Sequence, residues 1–166
     1  GSIKVKPPLV LPGQRIGVMG GTFNPPHAGH ALISRTALRR LKLDQLWWVV
    51  TPGNPLKVNS GLPPAAARME QCRRLAADQR MRITAFEEDL DTPFTAATLE
   101  FLVRRYPGVE FVWIMGADNL ASFHRWQRWR DIVANVPIAV VDRPGWRLKA
   151  LASPAAQWMK RGYVPE

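Results

Sequence analysis

Short, almost continuous apolar runs alternate along the chain with longer stretches in which apolar positions recur every three or four residues. The runs at 15–20 (RIGVMG), 46–51 (LWWVVT), 81–86 (MRITAF), 110–116 (EFVWIMG) and 137–143 (PIAVVDR) predict strands. The helical period at 28–41, 63–77, 95–106 and 125–135 predicts helices between them. Strands that read as apolar runs, not as alternating residues, are buried on both faces, as in a parallel sheet covered by helices on both sides. The expected fold is therefore α/β: a doubly wound, Rossmann-like parallel sheet forming a single domain over residues 13–166. Residues 1–12 read as an N-terminal tail whose Gly1-Ser2 start has the look of a tag remnant. Polar or glycine-rich segments follow the strands at 20–27, 51–61, 86–94, 116–124 and 142–147, and ligands of open α/β sheets bind outside such carboxyl ends.

Composition narrows the picture. With 166 residues, 46% of them apolar, the chain can bury a core as one domain. Its one cysteine, Cys72, excludes an internal disulfide framework and a cysteine-ligated zinc site, which suits the cytoplasm, and reads as a small buried filler. No apolar run approaches the roughly 18 residues of a membrane span, so no membrane partner is expected. The net charge of +10 favours anionic partners. However, the arginine pairs Arg39-Arg40, Arg73-Arg74 and Arg104-Arg105 fall in helical patterns, where solvated faces are the expectation, and the absence of a long basic run argues against nucleic acid. Nucleic acid and phosphorylated small molecules both qualify as anionic partners, and charge alone does not decide between them.

The segment GVMGGTFNPPHAGH (17–30) holds the densest chemistry. Gly20 and Gly21 close a strand with a bare backbone that phosphate groups can approach. The spacing is neither the G-x-G-x-x-G dinucleotide fingerprint nor a P-loop. Pro25 and Pro26 stiffen the entry to a helix whose first turn carries His27 and His30 on one face. Free N–H groups and the helix dipole make such an end an anion site, and two imidazoles add donors.

With these residues in place, GGTFNPPHAGH closely resembles the signature of the H-x-G-H nucleotidyltransferases. The segments TPGNPLK (51–57), FTAATLEFL (94–102), WIMGADNLASFHRWQRW (113–129) and VVDRPGW (140–146) extend the resemblance to the bacterial nicotinate-nucleotide adenylyltransferase family. Asn24 stands where that family usually has aspartate, and Phe94 where it often has tyrosine. The resemblance implies adenylyl transfer from ATP to nicotinate mononucleotide, a step of NAD biosynthesis, with ATP carrying Mg2+ held by phosphate oxygens and water and no dedicated metal ligands. It implies catalytic roles for His27 and His30. Gly20, Gly21, Thr22, Phe23, Lys57, Gly116, Asp118 and Arg143 would bind ATP and its phosphates. Asn54, Thr95 and Trp126 would bind the mononucleotide: Trp126 by stacking on the pyridinium, Thr95 by offering a helix start to the carboxylate. Trp129, three residues after Trp126, is assigned to the core.

The family's C-terminal Ser-Ser-Thr-x-Ile/Leu-Arg run does not occur within residues 1–166. Either a further segment is omitted or the triphosphate grip is reduced; a polypeptide ending at Glu166 is expected to bind nicotinate mononucleotide but to turn over poorly with ATP. Two alternatives stand beside the main reading: a sibling phosphopantetheine adenylyltransferase, or a non-catalytic nucleotide- or RNA-binding module on the same fold. Oligomeric state has no signal in the sequence.

Overall fold

In the computed structural model of the protein, the described residues are 8–21, 23–51, 63–85, 95–116, 130, 136–141 and 163–164. Within them the chain runs β1 (Arg15–Gly21), α1 (Ala28–Arg40), β2 (Gln45–Val50), α2 (Ala65–Leu75), β3 (Met81–Thr84), α3 (Thr95–Arg105), β4 (Glu110–Gly116), β5 (Ile138–Val141) and β6 (Tyr163–Val164). One six-stranded sheet has the order β3-β2-β1-β4-β5-β6, and every pair is parallel. The α/β expectation holds, with element boundaries within two residues of those expected. Of the helix expected at 125–135 only Arg130, which is helical, is among the described residues. The expectation that Trp129 belongs to the core lies outside them. β6 was not anticipated, because a two-residue strand is too short to show a period.

The inner strands are largely apolar because helices cover both faces, whereas β3, at the edge of the sheet, exposes Arg82. Every residue of β2 and β5 is buried. On one face α1 and α2 close a core with Ile33, Leu38, Met69 and Cys72; on the other Leu99 and Leu102 of α3 pack on Val18, Trp47 and Trp113. Crossover helices run antiparallel to the strands they join, so all three helices end at the amino-terminal edge of the sheet. Each ends in an exposed arginine pair, Arg39-Arg40, Arg73-Arg74 or Arg104-Arg105. These cations complement the negative ends of the helix dipoles. This part of the basic excess therefore lies on solvated faces at the end of the sheet away from the carboxyl-terminal loops, and two of its members share Glu70 (3.3 Å to Arg73, 3.8 Å to Arg74).

Cys72 is fully buried in α2, the small buried filler that was expected. Burial pushes its thiol up to about 11, against a smaller opposing pull from the Arg68 and Arg73 charges. The thiolate is the reactive form, so the native protein at pH 8 should resist iodoacetamide for hours and be alkylated within minutes in denaturant. Mass spectrometry of timed samples checks this; prompt labelling of the native protein would contradict the buried placement.

Candidate active site

The strand order reverses beside β1: the chain builds outward through β2 and β3, then crosses back to lay β4 on the other side of β1. Crevices at such reversals are where open α/β sheets hold ligands. β1 delivers Gly20 and Gly21 to this point, and β4 delivers Gly116. The two glycines of β1 are bare for different reasons. A Cβ on Gly20 would stand 2.9 Å from Cη2 of the buried Trp113 indole, so glycine there serves close packing under the sheet end. A Cβ on Gly21 would meet only the Phe23 ring, at an ordinary 3.8 Å. Gly21 is thus the more open of the two.

Beyond β1 the chain turns sharply. Phe23 has φ of 49°, a left-handed conformation that bulky residues adopt only when their surroundings hold them. Its ring is 3% exposed and stacks on Trp48 at 5.2 Å and 17°. The Asn24–Pro25 peptide is cis, and the chain reaches His27 in extended conformation as the N-cap of α1. His27 Nδ1 accepts the Gly29 N–H (3.1 Å), and His30 Nδ1 accepts the His27 N–H (3.0 Å). Two imidazoles thereby form a reciprocal capping box, a role usually filled by Ser/Thr and Glu.

This geometry amends one expectation. The helix-start amides were expected to be free for an anion; three of them are engaged, those of His27 and Gly29 by the rings and that of His30 by the His27 carbonyl at 3.0 Å, while that of Ala28 has no such partner among the described residues. A nitrogen that accepts a hydrogen bond holds no proton, so each neutral ring carries its proton on Nε2. The rings lie together, 4.0 Å between centroids, with Phe23 4.8 Å and Trp48 6.0 Å from His30.

Beneath this corner, Trp48 Nε1–H donates to Ser34 Oγ (2.8 Å), and the Ser34 hydroxyl donates to the His30 carbonyl (2.8 Å). A second buried polar group is Arg68, 2% exposed: its Nη1 donates to the Thr51 carbonyl (2.7 Å) and its Nε to the Pro63 carbonyl (2.9 Å). The Thr51 N–H in turn donates to the Gly21 carbonyl at 2.9 Å, so the guanidinium braces the carboxyl ends of β1 and β2 together. Sequence reading treated helical arginines as solvated and passed over Arg68. Its place at 68, within the stripe of Ala65, Met69 and Cys72, was the available signal.

Of the residues singled out in the sequence, the structure gathers Gly20, Gly21, Phe23, His27 and His30 at one corner and ends β4 at Gly116. Thr95 is the first residue of α3, at the helix start where its backbone was expected. Thr22, Asn54, Lys57, Asp118, Trp126 and Arg143 lie outside the described residues. Among the described residues no group of three or more His, Cys, Asp or Glu is placed to hold a metal ion. The packing at Gly20 predicts that Gly20→Ala destabilises the protein by about 1–3 kcal/mol, the usual cost of overfilling a packed core, while Gly21→Ala leaves stability nearly unchanged. Urea unfolding of the two variants measures this, and equal midpoints would contradict it.

The cytidylyltransferase-like family profile matches residues 18–162. Curated relatives named "Probable nicotinate-nucleotide adenylyltransferase" include one from Agrobacterium fabrum, 55% identical over 151 residues, spanning 91% of this chain and 81% of the relative. Another, from Rhizobium meliloti, is 56% identical over 151 residues, spanning 91% and 80%. The fold is also similar to that of Plasmodium falciparum nicotinic acid mononucleotide adenylyltransferase complexed with NaAD, with a TM-score of 0.73 at 14% identity over 92% of this chain and 74% of that one. The chain belongs to the cytidylyltransferase-like fold family and, within it, to the nicotinate-nucleotide adenylyltransferases.

Proposed function

We propose that the doubly capped start of α1 is the phosphate-gripping corner of this enzyme, which transfers the adenylyl group of ATP to nicotinate mononucleotide in NAD biosynthesis. The observation that carries the role of this corner is the His27/His30 box: two imidazoles held side by side, each accepting an amide proton at Nδ1, beside the open Gly21. In the reaction a phosphate oxygen of the mononucleotide attacks the α-phosphorus, the bond to the bridging oxygen breaks, and pyrophosphate leaves with that electron pair. The attacking oxygen is already anionic, so the residues need supply neither a base nor a covalent nucleophile. Their task is to hold the groups in line and to meet the charge that builds on the α-phosphate and the leaving oxygen.

His27 and His30 are suited to that task as donors aimed outward from a rigid frame. The donor set of this corner is N–H groups, which complement phosphate oxygens and not a cation. Magnesium, which neutralises ATP phosphates, would accordingly be held by those oxygens and water. We assign Gly20, Gly21, Thr22, Phe23, Lys57, Gly116, Asp118 and Arg143 to ATP, and Asn54, Thr95 and Trp126 to the mononucleotide. Thr95 at the start of α3 favours a carboxylate over an uncharged amide because the helix end presents amide protons. Among the described residues no helix is long and apolar enough to cross a membrane, and a cytoplasmic setting is part of the proposal.

Pyrophosphate release from ATP tests the acceptor: nicotinate mononucleotide should support it far better than nicotinamide mononucleotide or phosphopantetheine, and preference for phosphopantetheine would overturn the assignment. His30→Ala should lower kcat by about 10²–10³, the effect of removing one donor from a developing charge, with circular dichroism unchanged. Wild-type turnover in that folded variant would remove His30 from the chemistry. Trp126→Ala should raise KM for nicotinate mononucleotide much more than KM for ATP, since stacking contributes to ground-state binding. Equal increases would place Trp126 in the core instead.

A further inference from the structure

Trp48 and Ser34 are fully buried, and neither is used in the adenylyl-transfer reading given above. An indole is neither acid, base nor nucleophile near neutral pH, so any part it takes must be through geometry. Three contacts converge on it. Its face stacks on Phe23 (5.2 Å between centroids), its edge meets the His30 ring (6.0 Å), and its N–H reaches Ser34 Oγ (2.8 Å).

The hydrogen bonds have a fixed direction. Because Ser34 Oγ receives the indole proton, the hydroxyl turns its own proton to the His30 carbonyl at 2.8 Å. A helical serine commonly makes that second bond by itself, bending back four residues. What is added here is a donor from another element. Trp48 belongs to β2 and pairs in register with Met19 of β1, two residues before Gly21. The first turn of α1 is thus referenced to the sheet that carries the phosphate turn, not only to its own helix. The same indole supports the left-handed backbone at Phe23. A group that must meet a phosphate within a fraction of an ångström needs such a shared reference.

We infer that Trp48 is a positioning residue for His30, acting through the Ser34 hydroxyl on its backbone and through ring contacts with Phe23 and His30 on its imidazole. The inference rests on the reading that His30 donates to phosphate. Its test therefore includes a readout that needs no turnover.

Four variants are compared with wild type: Ser34→Ala, Trp48→Phe, their double, and Trp48→Leu. Ser34→Ala breaks the relay without disturbing core volume, and so keeps the test open if a Trp48 variant fails to fold. The first readout is 15N–1H NMR of the imidazoles in ligand-free protein labelled at its three histidines. Wild type should show His30 as a single Nε2–H tautomer. Trp48→Leu, which also removes the ring contacts, should shift it toward a mixture, and Ser34→Ala should do so in part. The second readout is kinetic: each single relay variant should lose about tenfold in kcat, within the 10²-fold that a 1 Å misplacement can cost, with KM for nicotinate mononucleotide within twofold. Because Trp48→Phe and Ser34→Ala interrupt one relay, the double should be no slower than the slower single. Multiplying losses, or a lowered Tm with the His30 tautomer and kcat unchanged, would make Trp48 an ordinary core residue and overturn the proposal. His30→Ala separates the two failures: if it keeps wild-type turnover, the role of His30 falls, while the tautomer shifts still decide whether Trp48 positions the ring.

Discussion

A helix start leaves backbone N–H groups without partners, and everything at this site depends on how α1 disposes of them. In many nucleotide-binding folds those amides face the phosphate directly. Here two imidazoles intervene, each accepting an amide proton at Nδ1 and carrying its own proton on Nε2 at the far side of the ring. The exchange satisfies two backbone amides at the helix start and at the same time fixes the tautomer of each neutral ring. It also moves the donors outward, on side chains able to follow a phosphate as its charge is redistributed. The spacing of His27 and His30 is the spacing of an N-cap and its third helical residue, so the geometry of the cap and the proposed chemistry require the same two positions.

Around that constraint the rest of the fold is a frame. The left-handed Phe23 brings the chain from β1 to the cap, and the stack on Trp48 holds it there. Arg68, an otherwise costly buried cation, has two carbonyls to bond and thereby braces the end of β2, which bonds in turn to Gly21. Adenylyl transfer needs no group that changes bonds with the substrate. A rigid arrangement of donors is sufficient, and rigidity is what these contacts provide.

The fold was largely legible because its inner strands are buried on both faces: such strands need not alternate, and β1, β2, β4 and β5 stand out as apolar runs between helical periods, while β3 at the sheet edge is short and exposes Arg82. His27, His30 and Gly21 were legible because a bare turn and two imidazoles at a helix start have few other uses. What escaped the sequence is whatever depends on a partner distant along the chain. The bare backbone at Gly20 was legible, but not that the Trp113 indole across the sheet also leaves no room for a side chain there. Trp48 read as one more apolar residue of β2, because nothing local shows that its N–H meets Ser34. Arg68 was hidden among exposed arginines, since its carbonyl partners belong to the end of one element and the approach to another. The amides of the helix start were taken as free because histidine is an uncommon cap.

The central claim is that the histidines meet the phosphates through Nε2 while their Nδ1 atoms keep the helix capped. A crystal structure with a non-hydrolysable ATP analogue tests it most directly. The account predicts both Nε2 atoms within about 3 Å of phosphate oxygens, the length of an N–H···O bond, with the Gly29 and His27 amides still bonded to Nδ1. Phosphates bound away from the start of α1, or rings turned to present Nδ1 to the ligand, would contradict it.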